Sequence, residues 1–144
     1  KAKHLHSNNT PPTLLPGVHE IQSLLESKNI PHGIASNATK QFVENSVNQL
    51  NLGFTTYLGF EDYKKPKPDP EPYLSLASLL GVPKTSYRNV WIFEDSLTGT
   101  KSAKDAGMVP IGIMTQYNED ELRSAGSEFV FPTLKEAYDY LLGL

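Results

Sequence analysis

The stretch Trp91–Met108, WIFEDSLTGTKSAKDAGM, decides the fold. Residues 89–93, NVWIF, read as a buried strand. Glu94 and Asp95 stand where that strand ends. Ser96 and Gly99 mark a turn, and a helix follows that closes at Ala106-Gly107. In an α/β sheet, ligands collect at the carboxyl ends of the strands. Two adjacent acids at such a tip repel each other, a cost that a hard cation with oxygen ligands would offset. The same two residues could instead be solvated acids that cap the helix.

Composition bounds the answer around that motif. A chain of 144 residues predicts one domain with a real core, 38% apolar and 20% charged, hence globular. A net charge of −3 without a basic stripe argues against nucleic acid as the main partner. The chain has no cysteine, which excludes disulfides and thiolate metal sites. No apolar run approaches transmembrane length and no leader is visible, so the expectation is a cytoplasmic protein without membrane contact. The first residue is Lys rather than Met, which suggests that this is not the natural N-terminus.

Upstream of the motif, residues 1–13, KAKHLHSNNTPPT, lack periodicity and read as a linker or the remnant of another element. His4 and His6 within it are expected to be exposed and unstructured. From residue 14 onward the chain reads as the core domain. Val18, Ile21, Leu24 and Leu25 share one helical face. Residues 32–35 predict a strand that stops at Ser36-Asn37, ahead of a helix carrying Val43, Val47 and Leu50. A hydroxyl residue at a strand tip before a helix can grip an anion through Oγ and free N–H groups, or can simply cap the helix. Residues 54–60 predict an edge strand followed by an exposed Glu61-Asp62 turn. Lys64 to Pro70, KKPKPDP, predicts a stiff extended segment. Such a segment is either a charged surface loop or a holder for a lysine ammonium, a point charge suited to phosphate oxygens.

Beyond it, Pro70 starts a helix with Leu76, Leu79 and Leu80 inward. Downstream of the motif, residues 109–113 and 129–131 predict strands, Asn118 caps a short helix, and Thr133–Glu136 forms a capping box. Alternating strands and helices imply an α/β fold with a Rossmann-like parallel sheet and helices on both faces.

Ser36-Asn37 at a strand end, then Lys65-Pro66-x-Pro68-Asp69, then Phe93-Glu94-Asp95-Ser96-x-x-Gly99 resembles the haloacid dehalogenase-like (HAD) hydrolase superfamily. The branch it is most similar to holds β-phosphoglucomutase and small sugar- or polyol-phosphate phosphatases. The resemblance covers residues 14–144 and implies a Mg²⁺-dependent phosphoryl-transfer enzyme, a phosphatase or phosphomutase of small phosphorylated metabolites. It implies that Ser36, assisted by Asn37, hydrogen-bonds the phosphoryl group and that Lys65 steadies its oxygens. It also implies that Glu94 and Asp95 hold Mg²⁺, with Asp95 the direct ligand. The family reaction begins at an Asp-x-Asp motif on the first strand, whose first Asp forms an aspartyl-phosphate. No Asp-x-Asp occurs in these 144 residues.

The expectation is therefore a HAD core lacking its first strand and its cap. The strands ending at Ser36 and Asp95 would have lost their common neighbour, and the nucleophile half would lie outside this chain. A different class remains open: a non-catalytic HAD-like binding or structural module that kept the pocket. A receiver-like signalling domain also uses strand-tip acids, a hydroxyl and a lysine, but the order of the two motifs speaks against it.

Overall fold

The computed structural model describes residues 16–144. The linker assignment and His4 and His6 therefore lie outside the described residues. Within them the order is α1 (Val18–Ser27), β1 (Ile34–Ala35), α2 (Lys40–Gln49), β2 (Tyr57–Leu58), α3 (Glu71–Leu79), β3 (Trp91–Glu94), α4 (Leu97–Asp105), β4 (Val109–Ile113), α5 (Glu119–Ala125), β5 (Phe129–Phe131) and α6 (Leu134–Leu142). No helix among the described residues is long and apolar enough to cross a membrane.

The strands run parallel but form two sheets, β1-β2 and β3-β4-β5. Among the described residues β1 pairs with β2 alone and β3 with β4 alone, so each presents an edge with no described strand beside it. Ile34 of β1 and Ile92 and Phe93 of β3 line one apolar cavity of about 470 Å³, together with Ile21, Tyr73 and Leu76. The sheet is thus divided at the place where the sequence predicts a missing central neighbour.

Alternation along the strands builds a core on each face. Ile34 packs with Val18, Ile21, Val43, Val47, Leu134 and Ala137, which puts α1, α2 and α6 on one side. Ala35 packs with Tyr73, Leu76, Ala77, Ile92, Ala103 and Met108, which puts α3 and α4 on the other. Each fully buried Val or Leu contributes about 1.5–3 kcal/mol. Gly17, with φ 97°, lets α1 start against α6, since a side chain there would strike the backbone of Leu134 and Lys135.

Three details differ from the sequence expectation. The strand expected over 54–60 is only Tyr57–Leu58, because the chain turns at Gly59 into a 3₁₀ turn, Phe60–Asp62. Glu61 in that turn accepts the Lys40 N–H, which ties it to the start of α2. Leu79, expected inward, is 60% exposed, because α3 buries the face formed by Pro72, Tyr73, Leu76 and Ala77. The segment expected to be extended across Lys64–Pro70 instead folds into a turn, closed by the Asp69 N–H on the Pro66 carbonyl at 3.0 Å.

Candidate active site

The carboxyl ends of β1 and β3 are joined by side-chain contacts, and these define the site. At the tip of β1, Ser36 is fully buried and its Oγ accepts the Ala38 N–H at 2.9 Å. The N-cap of α2 is Thr39, whose hydroxyl accepts the Phe42 N–H at 3.2 Å. Neither Ser36 nor Asn37 is therefore spent on capping that helix. The Tyr63 hydroxyl locks the strand end by accepting the Ser36 N–H at 3.0 Å and donating to the Ser36 carbonyl at 2.9 Å. Burial, reinforced by the nearby Asp62 and Glu61 charges, drives that phenol to hold its proton well above the ordinary tyrosine range.

Asn37 bridges to the lysine loop. Its Oδ1 accepts the Lys67 N–H at 3.1 Å and its Nδ2 donates to the Lys67 carbonyl at 3.3 Å. The amide therefore clamps one peptide segment from both sides, a use that the sequence expectation of phosphate binding did not include. The Lys67 side chain then runs inward, only 3% exposed, and its Nζ donates to Glu94 Oε2 at 2.6 Å. Lys65, the lysine expected here, is exposed, and its backbone N–H donates to Glu71 Oε1 at 3.1 Å. The structure thus brings Lys67 to the strand tips and leaves Lys65 on the surface.

Glu94 is fully buried. Its Oε2 accepts from Lys67 and from the Tyr73 hydroxyl, and its Oε1 accepts from Ser96 Oγ at 3.0 Å. A buried carboxylate needs such compensation, and this one has a cation and hydroxyl donors. Gly99 explains the last position of the motif. A methyl there would fall less than 3.0 Å from the Glu94 carboxylate atoms, so only glycine lets α4 begin against that acid. Ser96, not an acid, caps α4 by accepting the Gly99 N–H at 2.9 Å.

Asp95 is 2% exposed and its Oδ2 accepts the Thr115 hydroxyl, from the tip of β4, at 2.6 Å. Its carboxylate is hard-oxygen chemistry suited to a divalent cation. No group of three or more His, Asp or Glu that could hold a metal occurs among the described residues. With Glu94 engaged by Lys67 and Tyr73, these residues fit Mg²⁺ only as one contributor to a larger ligand set. The sequence reading missed Lys67, Tyr73 and Thr115. One signal was present: Tyr73 is a polar-tipped ring on the otherwise apolar face of α3, in the first turn after the lysine loop.

Comparison with known proteins places the chain in one family. A family model described as haloacid dehalogenase-like hydrolase matches residues 1–113. Phosphoglycolate phosphatase of Escherichia coli K12 is 28% identical over 110 residues, covering 75% of this chain and 42% of that protein. A crystal structure from Thermotoga maritima, described as a β-phosphoglucomutase, superposes with a TM-score of 0.80 at 28% identity, covering 90% of this chain and 60% of that one. A HAD hydrolase of family IA, variant 3, from Entamoeba histolytica superposes with a TM-score of 0.77 at 29% identity, covering 88% and 58%. The chain thus spans between two fifths and three fifths of the length of these three proteins. On the family match and the strand-tip constellation together, the chain belongs to the haloacid dehalogenase-like hydrolases.

Proposed function

We propose that this chain supplies the phosphoryl-binding and metal-binding part of a Mg²⁺-dependent phosphatase or phosphomutase of small phosphorylated metabolites, such as sugar or polyol phosphates. The observation that carries the reading is the buried Lys67–Glu94 pair, joined through Asn37 to the Ser36 strand tip and adjoining Asp95. An ammonium has three donors. One goes to Glu94, and the others are suited to the oxygens of a phosphoryl group as charge builds on it. Ser36 would add a hydroxyl donor from the opposite strand. Lys67 takes the role the motif suggested for Lys65, and Asn37 serves by holding the Lys67 backbone. Asp95 would be this chain's ligand to Mg²⁺, which when bound supplies charge neutralisation at the phosphoryl oxygens.

The attacking carboxylate is assigned to a strand outside this sequence, seated between β1 and β3. The cavity lined by Ile34, Ile92 and Phe93 supports that placement, because a strand there would pair both open edges. The partner implied is therefore the remaining N-terminal half of the whole protein. A second reading, a non-catalytic HAD-like binding or structural module, is favoured by the lack of any Asp-x-Asp in the sequence.

The deciding experiment assays purified 1–144 on p-nitrophenyl phosphate with Mg²⁺, then repeats it with the N-terminal half supplied in trans. Turnover only on mixing supports the split site. Turnover by 1–144 alone means that another residue here is the nucleophile. No turnover in either case selects the non-catalytic module.

A further inference from the structure

Tyr73 sits on the inward face of α3 among Pro72, Leu76 and Ala77, and is only 2% exposed. A phenol hydroxyl placed there is costly unless it is hydrogen-bonded, and an apolar ring would fill the same space without that cost. The hydroxyl donates to Glu94 Oε2, the oxygen that also receives Lys67 Nζ. The ring serves as well, since Lys67 Nζ lies 4.7 Å from its centroid, in the geometry of a cation–π contact. Lys67 is thus bounded by one residue twice: through its counter-ion and through an aromatic face.

We propose that Tyr73 is a positioning residue of the phosphoryl site, fixing the Lys67 ammonium by anchoring Glu94 with its hydroxyl and supporting Nζ with its ring. The consequence for catalysis rests on the phosphoryl-transfer reading above; the geometric consequence does not. An ammonium on a flexible four-carbon stem must be held in place to meet a transferring group, since small misplacements lower rate steeply. The residue touches no substrate in this scheme and acts through Lys67.

The test has two arms. In 1–144, ¹⁵N-detected NMR of lysine ammonium groups should show Lys67 as a protected signal. In Y73F it should shift and exchange at least about tenfold faster, the factor expected for loss of one hydrogen bond to a charged group, whereas K65A should leave it in place. An unchanged Lys67 signal in Y73F overturns the proposal, whatever the activity. Should Y73F not fold, 3-fluorotyrosine at position 73 keeps the ring and hydroxyl but strengthens the donor. A shifted Lys67 signal then supports the proposal and an unmoved one overturns it.

The second arm uses the whole protein and compares wild type, Y73F, K67M and the double variant on a phosphate ester. Y73F should lower kcat about tenfold to a hundredfold with little change in KM, and should add nothing in the K67M background. Equal losses in both backgrounds would show a merely structural role and overturn it. Absence of turnover in the wild-type whole protein would defeat the phosphoryl-transfer reading, while the NMR arm still decides Tyr73.

Discussion

Replacing Gly99 by alanine sets two physical effects against each other. Gly99 lies in the first turn of α4, where helix propensity alone predicts that alanine stabilises by about 1 kcal/mol. The structure predicts the opposite sign. The added methyl would fall less than 3.0 Å from the Glu94 carboxylate, which is fully buried and cannot retreat into solvent. Moving that carboxylate breaks its contacts with Lys67, Tyr73 and Ser96. Breaking a buried, hydrogen-bonded ion pair costs roughly 3–5 kcal/mol. Subtracting the propensity gain leaves a net loss of about 2–4 kcal/mol. For a domain of this size that lowers Tm by roughly 10 °C. Thermal and urea denaturation of 1–144 and its Gly99→Ala variant, followed by circular dichroism, measures the difference. A variant that melts at or above the wild-type temperature would refute the claim that Gly99 exists to admit Glu94.

Three further outcomes follow from the same geometry. Lys67→Met should destabilise 1–144 by about 3–5 kcal/mol, by stranding the buried Glu94 charge, whereas Lys65→Ala on the surface should stay within about 0.5 kcal/mol; denaturation midpoints separate the two, and the reverse order would return the site lysine to position 65. Tyr63 has its pKa raised by burial, so the folded state holds its proton more tightly than the unfolded chain. Its contribution is complete below about pH 10 and is lost as pH rises beyond, at up to about 1.4 kcal/mol per pH unit; Tyr63→Phe should make the alkaline fall in stability shallower by that amount, measured by urea melts between neutral and alkaline pH. Asp95→Asn removes a formal charge from the proposed Mg²⁺ ligand, so in the whole protein it should weaken Mg²⁺ binding by at least about tenfold by titration calorimetry and lower turnover by orders of magnitude. An unchanged Mg²⁺ isotherm would remove Asp95 from the metal site.

The sequence by itself determined the fold class, and it pointed to the region of the candidate site, because both rest on local rules. The apolar run ending in Glu94-Asp95, then Ser96 and Gly99, reads as strand, turn and helix, and the structure forms β3 and α4 there. The 3.6-residue and two-residue periodicities likewise placed α1, α2, α6 and β4. No Asp-x-Asp occurs in the sequence, and among the described residues β1 and β3 lie in separate sheets.

Only tertiary structure could decide which lysine enters the site. In an extended segment Lys65 and Lys67 are two residues apart and project from the same face, so alternation cannot separate them. The turn closed between Pro66 and Asp69, with the Asn37 amide holding the Lys67 backbone, sends Lys67 inward and leaves Lys65 outside. The same holds for Glu94. Adjacent carboxylates read alike along the chain, but the pleat points them differently: one meets Lys67 and Tyr73, and the other meets Thr115 from β4. Those contacts join residues 20 to 30 positions apart. No local pattern encodes them, because they arise from which helix faces pack against the sheet.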